Sequence, residues 1–309
     1  MWNFNLLAAT RTVEAAMPFL LYRMAVCLGL AVASLLAALA GAGTLIAFAS
    51  FSSKPGSVGG LGALLGLAGL VYVLRRFRGP LFFNIEAGHL ALLAELAKTG
   101  KLPQGKAQLD LARQRAAEVF PAASGFVELD GEVKEVLRDL TGRHCPVLGK
   151  ITNKALADQF LWVAGRVAQT SAPALLSLCF VAEAGHAWGA ARAGLILHQR
   201  HFDLLSKNRQ FLLAFEVLGL VTGYLAMLYP VDSAAAMLPV DIGVWRTVFA
   251  LIFAWSLKAS FVDPIATTAL AGLYFDLAKQ EPADSAAEAQ QLAAHSAAFR
   301  RIAEKAARG

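Results

Sequence analysis

The sequence predicts an all-α, polytopic helical membrane protein with a helical cytoplasmic domain. Three observations carry that prediction: an unusually apolar composition, four long runs almost free of charge, and arginines clustered at the ends of those runs. Of 309 residues, 57% are hydrophobic and only 16% charged, whereas soluble domains carry roughly a quarter charged residues. Mean hydropathy is +0.54. Residues 24–53 and 55–74 contain no charged side chain, and residues 211–230 contain only Glu216. Residues 248–257 are uncharged, and the run continues past Lys258 towards Leu270. A helix rises about 1.5 Å per residue, so about 20 residues cross a hydrocarbon core of roughly 30 Å.

Residues 1–22 read as an interfacial N-terminal helix, with Trp2, Leu6, Val13, Met17 and Leu20 near one face and Pro18 at its junction with the first span. The polar lead-in to the first apolar run is too long for a secretory signal, so that run is expected to stay uncleaved. Residues 23–75 form a transmembrane hairpin that turns at Lys54, Pro55 and Gly56. Gly62 and Gly66 are a GxxxG step, the spacing that lets two helix backbones approach closely. Arg11, Arg23, Arg75, Arg76 and Arg78 flank the hairpin, and basic residues are held on the cytoplasmic side.

Residues 76–154 are expected to be a helical cytoplasmic domain. Helices over residues 82–98, 104–119 and 128–140 follow from apolar residues at helical spacing, such as Val133, Val136 and Leu140. Residues 155–205 are too polar for lipid-facing spans and too apolar for free surface helices. They read as an embedded or re-entrant helix pair. Residues 206–278 form a second transmembrane hairpin whose connection carries only Asp232 and Asp241, so it is placed outside. Residues 279–309 are a detached cytoplasmic amphipathic tail, with Ser285 as cap and Leu292, Phe299 and Ile302 on one face. Both termini are then cytoplasmic, in an inner membrane.

The net charge of +6 and a pI near 9.3 fit topology determinants and lipid headgroup contacts. No basic motif with interleaved aromatics points to nucleic acid. Cys27, Cys145 and Cys179 make no tightly spaced framework and read as reduced thiols. Neither a phosphate loop nor a nucleophile elbow is present, and the catalytic residues, if any, are unknown.

Two features could carry chemistry. The segments Phe83–His89 and Phe180–His186 agree at five of seven positions, and each contains Glu-x-x-His. Glu86, His89, Glu183 and His186 are thus candidate ligands of a dinuclear iron or manganese centre, although the further Glu that such a site takes from each of two more helices is not evident. Gly88 and Gly185 could equally be close helix crossings. His198 and His201 lie near Asp203, but two ligands do not make a metal site. The second feature is the set of ionisable residues in apolar helices: Glu183, His186, Arg192, Glu216, Lys258 and Asp263. Such groups are expensive to bury and need a partner or water. Lys258 and Glu216 are a reasonable pair, whereas Lys258 and Asp263 are five apart and not ideally placed for an α-helical pair.

The leading expectation is a channel- or transporter-like protein, homo-oligomeric in the lipid bilayer, with these polar groups facing a pore or cavity. One alternative is a membrane-bound dinuclear-metal oxidoreductase. The other is a non-catalytic scaffold that recruits a cytoplasmic protein partner through its C-terminal helix.

Overall fold

The computed structural model describes residues 2–48, 55–76, 78–144, 153–182, 186–237, 242–281 and 285–308. Along them run α1 (Leu6–Ala15), α2 (Met17–Phe48), α3 (Pro55–Arg76), α4 (Arg78–Thr99), α5 (Lys106–Val119), α6 (Ala123–His144) and α7 (Lys154–Gln169). Next come α8 (Ala172–Val181), α9 (Ala187–Arg200), α10 (Phe202–Ala235) and α11 (Trp245–Leu257), then a π-helical turn at Lys258–Val262. The chain continues into α12 (Asp263–Gln280), α13 (Ala286–His295) and α14 (Ala297–Ala306). No strand occurs among the described residues. Four helical segments are long and apolar enough to cross a membrane: Met17–Phe48, Val58–Arg76, Phe202–Ala235 and Trp245–Gln280. The protein is an all-α polytopic membrane protein.

Two compact units divide the chain. The first, the hairpin unit, comprises residues 20–81 and 216–263. Within it α2 and α3 are antiparallel, and their contact is made by glycine. A Cβ on Gly62 would strike the Gly41 carbonyl, and one on Gly66 would strike the Ala37 carbonyl. Backbones this close exclude any larger side chain. The second hairpin packs less closely: Gly219 lies against the Val262 side chain, and a Cβ on Gly223 would meet Ala254 only at ordinary contact distance. Ala38, Ala63 and Phe249 make a small common core. Outward lie Leu61, Leu64, Leu65, Leu218, Leu225 and Trp255, an apolar surface that suits lipid rather than water.

The larger unit comprises residues 1–19, 82–215 and 264–309. Its core joins Leu90, Leu129, Val133, Val136 and Leu137 to Leu175, Leu176, Leu195 and Ile196. The hydrophobicity of α8 and α9 is therefore spent inside this unit: Leu175, Leu176, Cys179, Leu195 and Ile196 are all fully buried. Pro173 sits in the first turn of α8, where its missing N–H leaves no helical bond unmade. Gly100 and Gly105 both take positive φ in the α4–α5 loop, a conformation costly for any residue with a Cβ.

Three local differences from the sequence expectation have plain causes. The N-terminal helix is interrupted at Ala16, so α1 ends there and the long first span begins at Met17. The tail is two helices, not one, because Ser296 takes an extended conformation and its side chain caps α14 at Phe299 N–H. Nor is the tail detached, since Leu292, Phe299 and Ile302 are buried in the larger unit's core.

Candidate functional site

A polar network lies inside the hairpin unit. It is assembled by α2, α10 and the π-helical turn between α11 and α12. Lys258 Nζ is 2.5 Å from Asp263 Oδ1 and 3.7 Å from Glu216 Oε2. Arg23 Nε donates to the Ala259 carbonyl at 2.7 Å, and its charge also acts on Asp263. Two cations and two carboxylates thus balance one another. The Glu216 and Lys258 side chains are 10% and 17% exposed, so their interaction is little diluted by solvent.

The π-helical turn explains how residues five apart come together. In an α-helix a five-residue step rotates the side chain by about 140° past a full turn, which separates the two ends. A π-turn instead closes a hydrogen bond from residue i+5 to residue i, and here the Asp263 N–H bonds the Lys258 carbonyl. The wider turn places Lys258 and Asp263 on one face.

The same register change orphans a carbonyl. Ala259 would ordinarily accept from the N–H of Asp263, which is now taken by Lys258. Its alternative donor, five residues on, is Pro264, which has no N–H. Arg23 supplies the missing hydrogen bond from another helix. Pro264 is the sequence signal for this arrangement. Arg23, read from sequence only as a topology determinant, has this second role because the fold brings α2 beside the break.

Axial lengths locate the network within the unit. Lys258 follows the 13 residues of α11, about 20 Å from that helix's start. Arg23 immediately precedes the uncharged run of α2. The charges therefore lie towards the end of the apolar zone at which the chain joins the unit, at Leu20, Glu216 and Asp263.

The other candidate residues are placed elsewhere. Glu86 and His89 lie on α4 in the larger unit, half-buried and 2% exposed respectively. His186 is exposed at the start of α9, and Arg192 is half-buried within that helix. Glu183 lies outside the described residues. Helix α8 ends at Val181, ahead of the second Glu-x-x-His segment, and Ala182 is extended. Among the described residues no three His, Cys, Asp or Glu side chains converge into a metal-holding group. Gly88 presses on Phe19, where a Cβ would come 2.9 Å from the ring. Gly62 and Gly66 lie at the α2–α3 contact already described.

In the larger unit, His198 Nδ1 and the Tyr274 hydroxyl share a hydrogen bond of 2.6 Å. Burial, aided by the neighbouring His144, pulls the His198 pKa down to about 4. His201 instead faces Glu281 at 3.2 Å. Burial pushes the Cys179 thiol up to about 12, so it is an unreactive packing group at neutral pH.

Fold and network together define a polytopic α-helical membrane protein with a lysine held between two carboxylates. Compared with family models, curated proteins and solved structures, the chain matches none.

Proposed function

We propose that the hairpin unit is channel- or transporter-like and that Glu216, Lys258 and Asp263 form its ion- or proton-handling centre. The observation that carries this reading is one lysine bridging two carboxylates beside a π-helical turn. Ionisable groups buried in membrane helices mark ion and proton pathways, and π-turns recur at functional sites. Protonating either carboxylate removes one attraction on Lys258, which changes the charge of the network without moving a helix. A homo-oligomer would bring several such networks around one axis. Arg11, Arg75 and Arg76 favour a cytoplasmic location for this end of the unit, and with it for both termini.

The test is flux through the purified protein in liposomes containing a pH-sensitive dye. Glu216→Gln and Lys258→Met are expected to lower proton or cation flux about tenfold or more, as removing a buried charge partner costs a few kcal/mol. Unchanged flux in variants that remain folded and inserted would sink the proposal. A scaffold reading gains support from one observation, the charge balance of the network, which suits an internal clamp. On that reading both variants lose stability and the wild-type protein conducts nothing.

A further inference from the structure

We propose that α7 is a lipid-binding helix, whose outward face rests against the headgroup and acyl-chain interface of a bilayer. The arrangement of α7 is reversed relative to a helix on a water-soluble surface. Its inward side is small and close-packed: Gly165 lies against the Arg138 side chain, and Leu161 reaches Gly142 of α6. Its outward side is apolar. Leu156, Phe160 and Val163 recur at helical spacing and are 56%, 39% and 52% exposed, and Trp162 beside them is 65% exposed. A protein in water would bury such a face.

Charge selects the occupant. Lys154 begins the helix, and Arg166 lies over the Trp162 ring at 5.4 Å. Asp158 is the only acidic residue on α7. Cationic residues flanking an apolar stripe, with tryptophan at the rim, are what an anionic headgroup layer over acyl chains accommodates. A second copy of this chain would offer the same positive rim and repel it. A lipid surface supplies the opposite charge and the apolar partner at once, and the protein is already inserted in one.

The full-length protein is reconstituted into phosphatidylcholine–phosphatidylglycerol vesicles, and the emission of Trp162 is taken as the difference between wild type and Trp162→Phe. Replacing the phosphatidylcholine with its acyl-brominated form is expected to reduce that difference emission to below half, while aqueous acrylamide leaves it nearly unchanged. Leu156→Glu with Val163→Glu, which touches no core residue, should reverse both results while the protein stays inserted. Quenching by acrylamide but not by brominated lipid would place the face in water and overturn the proposal. Quenching by neither would place a protein partner there and overturn it as well.

Discussion

At Ala259 neither helical register can supply a donor, and the consequences reach across two hairpins. The α partner is diverted to Lys258, and the π partner is a proline. Arg23 therefore holds a backbone oxygen that would otherwise be buried and unmet. Leaving such an acceptor unsatisfied costs about 1–3 kcal/mol. Arg23→Met should lose that amount in detergent unfolding. Pro264→Ala restores an N–H within reach of Ala259 in the π register, so in that background Arg23→Met should cost less. A double-mutant cycle is expected to give a coupling of about 1 kcal/mol; additive losses would mean that the arginine acts by charge alone. From sequence the last span is expected to be unbroken; Pro264 is a signal that could have marked the break, but nothing in the chain identifies which distant side chain repairs it.

Among elements, α14 separates packing from charge. Arg301 reaches Glu132 and Glu135, and Lys305 reaches Glu128. Those cations are 47% and 39% exposed, and exposed pairs contribute about 0–1 kcal/mol. Phe299 and Ile302 are fully buried, and a buried phenylalanine cut to alanine costs about 3–5 kcal/mol. Phe299→Ala should therefore destabilise the larger unit strongly and Arg301→Ala barely, read by urea unfolding of the purified protein; comparable losses would show that the ion pairs dock the helix. The amphipathic stripe of this tail is plain in the sequence. Its neighbours are not, because an apolar stripe shows that a helix buries one face without showing against what. For the same reason the sequence leaves open whether α8 and α9 meet lipid or protein, because a core helix and a short lipid helix carry the same hydrophobicity.

For the molecule as a whole, acid stability should follow the larger unit. His198 is buried neutral with a pKa of about 4, below its ordinary 6.5. Between those values the unfolded chain binds a proton that the folded chain refuses. Stability is therefore intact above pH 6.5, falls as pH drops towards 4, and loses on the order of 3 kcal/mol from this group. Unfolding measured at pH 7 and at pH 4.5 should show this loss, and His198→Asn should flatten it; an equal slope in the variant would assign the loss to other groups.

The sequence by itself determined that the chain is helical and crosses a membrane, because long uncharged runs have only one economical state in lipid. Every backbone group must be satisfied within the helix itself. It also singled out Glu216, Lys258 and Asp263, since charges in apolar runs are conspicuous, and it named Gly62 and Gly66 by their spacing. Only the tertiary structure decided what those residues meet. Gly41 and Ala37 face the glycines, the π-helical turn brings Lys258 to Asp263, and Arg23 reaches Ala259. Insertion depends on the composition of one segment at a time, whereas each of these contacts depends on which helices lie side by side. That is settled by packing across residues far apart in the chain.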